Sequence, residues 1–384
     1  MKWFNVKVAL LVGVFLRSCV AAWNGFWGPS FGAEYDALGF HQAAVQYSNN
    51  LVLDHFVVGH IYSYILGIFY FITTDSLFLG SMLSVVIWCF SALILLQIMR
   101  SLVMEYADQC KVMFIYALLP SSLMLTSITL REPYQLLFIN LAAFAVLQIH
   151  LQKSKRYWLM LILAVAGMGI LHGALLAAGL FVFLPAAFIL WSFNSENGFS
   201  LARLFLVGVG LIISGYYGYA LLSTVYINLV NGLDAAVQGY QKGIASYPIS
   251  RATYRTGLEI NSLLDLIIST PRIIFHYLFE PLPWRITALI DVVALLENSL
   301  RIWLIWRFFK YCRDDAGEKR RLIIFVFLAY IAMETIWSMG VSNWGTALRH
   351  HLPSIGLLLV AAFAYKGKQI IWINNLMHKY GLNK

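Results

Sequence analysis

The chain has 384 residues, 60% of them hydrophobic and only 12% charged, with a mean hydropathy of +0.74; so few charges cannot clothe a water-soluble surface, and the sequence describes a polytopic membrane protein. A formal charge of +9 invites a nucleic-acid reading, yet the basic residues fall in short clusters between apolar runs, as membrane topology produces and nucleic-acid recognition does not. Cys19, Cys89, Cys110 and Cys312 lack metal spacing, so a zinc or disulfide framework is not expected.

The N-terminus, "MKWFNVKVALLVGVFLRSCVAAW", has the charged start and apolar stretch of a secretory signal. Arg17 interrupts that stretch and further apolar segments follow, so it reads as a retained first transmembrane helix. Apolar runs long enough for a helix to cross the ~30 Å hydrocarbon layer fall near 4–22, 76–99, 112–130, 133–151, 157–171, 173–193, 204–226, 286–306, 322–339 and 352–365. One more, "HFVVGHIYSYILGIFYFITT" at 55–74, carries His60, Ser63 and Gly67 along one side. If it spanned, the later basic clusters would land opposite Lys2 and Lys7, against the positive-inside rule. It therefore reads as a helix in the outer interface.

The expectation is an all-α, single transmembrane domain over 1–384 with about 10 spans. A first outer loop with its juxtamembrane helix occupies 23–75, a long outer loop 225–284 and a basic cytoplasmic loop 307–321. In this arrangement Lys2, Lys7, Arg100, Lys111, "KSKR" at 153–156, Arg203, "RFFKYCRDDAGEKRR", Lys366 and Lys368 are cytoplasmic. The motifs "EYDALGFH", "LREPY", His172 and "NWGTALRHH" share the outer face, where ionisable groups avoid the cost of lying in hydrocarbon.

Glu34 and Asp36 head these candidates. A carboxylate within reach of a hydroxyl can act as general base, and an E-x-D pair could instead hold a divalent ion, magnesium or manganese, or be merely a solvated loop. Arg131 and Arg349 each end a hydrophobic run, where a guanidinium can clamp a lipid phosphate, snorkel to headgroups or, for Arg131, pair with Glu132. His41, His350 and His351 add donors or titrating groups beside these motifs; His172, with no second ligand at fixed spacing, reads as structural. In the long outer loop, Lys242, Arg251 and Arg255 favour an anionic partner, and "SLLDLIISTPRIIFHYLF" is amphipathic. Gly208, Gly210, Gly215 and "HGALLAAG" suit close helix packing. No nucleotide-binding or hydrolase motif is present.

Taken in order, "FLRSCV" leading into "GAEYDALGFHQAA", then "GHIYSYILGIFYFITTDSLFLGSMLSVV", "LLPSSLMLTSITLREPYQLLF" and "NWGTALRHHLPSIGLLLVAAFAY" resemble the GT-C superfamily of polytopic glycosyltransferases. The likeness is to bacterial members related to protein mannosyltransferases and aminoarabinose transferases. It implies an acidic residue in the first outer loop serving as base or metal ligand, juxtamembrane helices after it, and a donor sugar on a polyprenyl phosphate. On those positions Asp36 is the catalytic residue, Glu34 its partner, and Arg131 and Arg349 the lipid-phosphate contacts. The sequence departs from the mannosyltransferase branch in having E-x-D for the doubled acids and only a short basic tail after the last run. In length it is more similar to the membrane proteins of surface-polysaccharide clusters, including O-antigen and exopolysaccharide polymerases.

The expected function is therefore transfer of a sugar or oligosaccharide from a polyprenyl-phosphate-linked donor to a glycan acceptor. It would occur at the periplasmic face of a bacterial inner membrane, with a cytoplasmic N-terminus and no nucleic-acid partner. A transporter or flippase of lipid-linked glycans is the rival, kept in view by Asp291, Glu297, Arg301 and Glu334 within or near spans. A noncatalytic assembly subunit is the third reading.

Overall fold

The computed structural model describes residues 5–28, 34–50, 61–193, 238, 242, 251–254, 260–312 and 317–365. The chain is an all-α membrane protein, and among the described residues it forms no strand beyond one isolated bridge, Thr253 with Asn343. Its helices are α1 (Val6–Phe26), α2 (Glu34–Asn50), α3 (Ile61–Ile72), α4 (Leu77–Ser101), α5 (Tyr106–Leu118), α6 (Pro120–Leu125), α7 (Glu132–Gln152) and α8 (Arg156–Leu171). Then come α9 (Gly173–Ala178), a π turn (Gly179–Phe183) and α10 (Leu184–Phe193), and after them α11 (Leu263–Phe279), α12 (Leu289–Tyr311), α13 (Gly317–Gly340), α14 (Trp344–His350) and α15 (Leu352–Phe363).

Five helical stretches, Val6–Phe26, Leu77–Ser101, Glu132–Gln152, Gly173–Ser192 and Gly317–Gly340, are long and apolar enough to cross a membrane. The helices α3, α8 and α15 are apolar but shorter. At 23 residues α12 has the length, but Asp291, Glu297, Arg301, Arg307 and Lys310 lie on it. The expected single run over 112–130 is broken in two: the residue before a proline avoids helical ψ, and Leu119, with ψ 121, ends α5 before Pro120 starts α6. The run at 204–226 lies outside the described residues.

The centre of the bundle is α7, packed on α4, α8, α10 and α15. All of α15 is buried, while Leu11, Phe15, Phe90 and Leu328 point outward from the apolar helices, the distribution expected where lipid is the solvent. Side-chain oxygens start several helices: Asn5 accepts from Lys7 N (2.9 Å), Ser262 from Asp265 N (3.1 Å) and Asn343 from Thr346 N (2.8 Å). Two contacts require glycine. A Cβ on Gly25 would lie 2.6 Å from the Phe78 Cα, where α1 meets α4, and one on Gly67 would lie 2.8 Å from the Ala44 carbonyl, where α3 pairs with α2.

Arg17 has a structural task. Fully buried, it donates from Nε to Thr126 Oγ1 (2.9 Å), from one terminal nitrogen to the Ala117 (2.8 Å) and Gly13 (3.2 Å) carbonyls, and from the other to Ser122 Oγ (2.8 Å). Its guanidinium lies 3.6 Å from the Trp88 ring centroid. The break between α5 and α6 frees the Ala117 carbonyl to accept this bond, so the charge that interrupts the first apolar run joins α1 to the bundle.

The helix ends segregate by chemistry. Lys7, Arg100, Lys111, Lys153, Lys155, Arg156, Lys310 and Arg320 lie at or near one set of ends. There, His150 Nε2 of α7 meets Glu318 of α13 at 2.8 Å. The start of α2, the start of α7, the end of α8 and α14 lie at the other set.

Candidate functional site at the α2, α7 and α14 ends

Glu34 and Asp36 lie at the start of a helix, not in the loop that the sequence suggested. Helix positions two apart do not share a face, so E-x-D is not a ready-made pair of ligands; the Glu34 side chain is outside the described residues. Asp36 is 58% exposed, and its Oδ2 accepts from a terminal nitrogen of Arg349. The same guanidinium donates from Nε to Glu132 Oε1, and Glu132 is 2% exposed. One arginine, 313 positions along the chain from Asp36, thus bridges an exposed carboxylate and a buried one.

Local sequence explains each placement. Glu132 falls in the first turn of α7, with Pro133 beside it to open the helix, and an acid there complements the helix dipole. Arg349 rides on the short helix α14, which Asn343 caps and which backbone bonds hold in place: Trp344 N to the Ala252 carbonyl (3.1 Å) and Tyr254 N to the Ser342 carbonyl (2.9 Å). Arg131 does not pair with its neighbour Glu132 among the described ion pairs. It donates to the Leu171 carbonyl at the end of α8 (3.1 Å), stands 5.1 Å from the Phe40 ring centroid, and has a buried Nε with no protein acceptor. Glu132 Oε2 is likewise buried without a donor.

His350 stacks on Trp337, ring centroids 4.1 Å apart, and His172 packs on the same indole at 4.8 Å. Burial, then the Arg131 and Arg349 charges, lowers the His172 pKa to about 4; burial, with the same neighbours, holds His350 well below its usual value. Burial works against charge on Arg349, but Glu132 and Asp36 outweigh it and raise its pKa further. Burial and the two neighbouring guanidiniums thus disfavour the charged form of both imidazoles.

The other sequence candidates lie elsewhere. His41 turns to α3, its Nδ1 2.8 Å from the Tyr70 hydroxyl. Arg251 binds buried Asp291 at 2.5 Å and Thr287 Oγ1 at 3.1 Å, securing the start of α12 together with Trp344 Nε1, which donates to Asp291 Oδ1 (2.9 Å). His351 points into the bundle toward Glu334. Arg255 is outside the described residues. Sequence reading missed Glu132 as the partner of Arg349, and Trp337. The signal for Glu132 was its position: an acid with Pro at the next residue, at the mouth of an apolar run.

Among the described residues no group of three or more His, Cys, Asp and Glu side chains is disposed to hold a metal ion. The chain matches no family model, no curated protein and no solved structure.

Proposed function

We propose that the protein is a membrane glycosyltransferase or polysaccharide polymerase acting on a polyprenyl-phosphate-linked sugar or oligosaccharide. The observation that carries this reading is the meeting of Asp36, Arg131 with Glu132, and Arg349, from three separate parts of the chain, at one set of helix ends. Arg131 brings an unpartnered buried donor to it. Two adjacent guanidinium groups suit the phosphate of a lipid-linked donor, and they would stabilise the charge that develops on it as it leaves.

In the proposed reaction the acceptor hydroxyl oxygen forms a bond to the anomeric carbon while the bond from that carbon to the phosphate oxygen breaks. Asp36 takes the hydroxyl proton, and the electron pair leaves with the lipid phosphate. Because Asp36 is the exposed member of the bridge, it can leave Arg349 for the acceptor hydroxyl while Glu132 keeps the arginine in place. A divalent cation has no step in this scheme, since helix positions two apart do not present two ligands on one face. The wider reading follows the resemblance to the GT-C superfamily: about ten spans, an N-terminus and basic helix ends in the cytoplasm by the positive-inside rule, and the site at the periplasmic face of a bacterial inner membrane.

The test is a deletion strain complemented with wild type or Asp36→Ala at matched protein levels, with lipid-linked intermediates read by mass spectrometry. Accumulation of an unextended lipid-linked glycan in the alanine strain is the expected result. A normal surface-glycan profile would remove the base from the mechanism. Intermediates trapped on the cytoplasmic side would instead favour a carrier of lipid-linked glycans, the reading that the buried Glu297, Arg301 and Glu334 side chains suit.

A further inference from the structure

The helix that brings Asp36 to the site runs on for about four turns beyond it. From Ala37 to Asn50, α2 contains no Asp, Glu, Lys or Arg. One side of this stretch is covered. Ala37 and Ala44 are buried, Phe40 meets Tyr62 of α3 edge to face with ring centroids 5.1 Å apart, and Tyr47 lies 5.0 Å from Tyr64. Thr129 Oγ1, in the segment before α7, donates to the Ala37 carbonyl (2.8 Å). The other side is open: Tyr35, Gly39, Gln42, Gln46, Asn49 and Asn50 are exposed. They recur at steps of three and four, so they form one stripe, with Asp36 on its margin at the site end.

The chemistry of this stripe differs from that of a face that meets only lipid or only water. Hydrocarbon does not accept a row of unpaired amides, and the outward residues of α1, Leu11 and Phe15, show what a lipid-facing surface carries in this protein. A face set by solubility alone favours Glu, Lys and Arg, with both signs interspersed. A side-chain amide instead presents two N–H donors and a carbonyl acceptor without charge, the complement of neighbouring hydroxyls that each donate and accept. Tyr35, 92% exposed, adds a large ring face on which the C–H side of a sugar can rest. At Gly39 nothing lies within 4 Å of where a Cβ would stand, so the stripe is open between Tyr35 and Gln42.

We propose that the exposed face of α2 binds an uncharged, hydroxyl-rich glycan chain that lies along the helix and presents its end to Asp36. At about 1.5 Å per residue, the stripe from Tyr35 to Asn50 is about 22 Å long, so the ligand it fits is an oligosaccharide and not a monosaccharide. Amides without a fixed charge hold hydroxyls, and Asp36 at the head of the stripe disfavours an acidic sugar there. The part this track plays in transfer, with the bound chain as acceptor, rests on the reading above; its binding of glycan does not.

The test is binding without turnover. Surface polysaccharide from the source strain is cleaved from its lipid by mild acid and separated into neutral and anionic fractions. Each is titrated into the purified full chain in detergent, with saturation-transfer NMR and calorimetry as readouts. The neutral fraction should bind wild type, and the double variant Gln42→Ala with Gln46→Ala should bind it at least about fivefold more weakly, because the hydrogen bonds of two amides are lost. Both glutamines are exposed and alanine is the better helix former, so the variant keeps the fold. Binding of the anionic fraction alone, equal binding by wild type and variant, or no binding would overturn the proposal. A second copy of the chain is the other occupant to test, and rapid crosslinking of Gln46→Cys into a homodimer would overturn it as well. Failure of the transfer reading is seen separately, in the rate of Asp36→Asn, and leaves the binding result unchanged.

Discussion

Arg349 holds two carboxylates of very different burial, and their energetic coupling to it should differ accordingly. Arg349→Met leaves Glu132 buried with neither oxygen bonded, since its Oε2 already lacks a donor. Breaking a buried pair from one side costs about 3–5 kcal/mol, and the place of Glu132 in the first turn of α7 is the same in both proteins, so the expected loss is about 3–5 kcal/mol. Asp36 is 58% exposed, so Asp36→Asn should cost only about 0–1 kcal/mol. Double-mutant cycles by denaturant unfolding in a single detergent measure both couplings. The cycle of Arg349→Met with Glu132→Gln should give about 2 kcal/mol or more, and the cycle with Asp36→Asn less than about 1 kcal/mol. A coupling to Asp36 as large as that to Glu132 would refute the reasoning, because Asp36 would then be a structural partner and not a group free to leave the bridge.

Arg17→Lys keeps the charge but loses the planar fork that reaches Ser122, Thr126 and two carbonyls; it should destabilise by about 2 kcal/mol, seen in the same unfolding assay. Gly67→Ala drives a Cβ onto the Ala44 carbonyl of α2, so it should shift the helix bearing Asp36 and lower transfer with all four charged groups intact, which an activity assay on protein of normal yield reads. His172 has a pKa lowered to about 4, mainly by burial. The unfolded chain therefore takes up a proton that the folded one refuses, and stability should fall as pH drops from about 6.5 to about 4. His172→Asn, which can still accept from Ala174 N, should blunt that fall, and an unchanged pH profile would show that His172 is not its source.

The architecture was legible where the physics is local. Long apolar runs announce helices because the backbone must satisfy itself in hydrocarbon, and α1, α4, α7 and α13 lie close to the expected positions. The amphipathic stretch in the long outer loop is the helix α11. Pro120 was visible too, but an apolar run does not reveal that its helix is cut, and the broken helix matters because it supplies the acceptors for Arg17. The site was legible as residue types in the segments that border the apolar runs. Its connections were not: whether Arg131 or Arg349 takes Glu132 is decided by where α14 carries Arg349 relative to the start of α7, and nothing in "LREPY" or "ALRHH" encodes that distance. His350 and His351 are adjacent in sequence, yet one stacks on Trp337 and the other binds Glu334, because neighbours at a helix end point in different directions.

The central claim is that Asp36 accepts a proton during transfer from a lipid-linked donor. Its most direct test is a single-turnover assay on the purified protein, with lipid-linked glycans extracted from deletion-strain membranes as donor, comparing wild type, Asp36→Asn and Asp36→Glu. Asp36→Asn should slow formation of the new glycosidic bond by about 10²–10⁴-fold, with normal unfolding behaviour and with Asp36→Glu recovering part of the rate. A rate for Asp36→Asn within tenfold of wild type, or no transfer by any of the three proteins, would contradict the account.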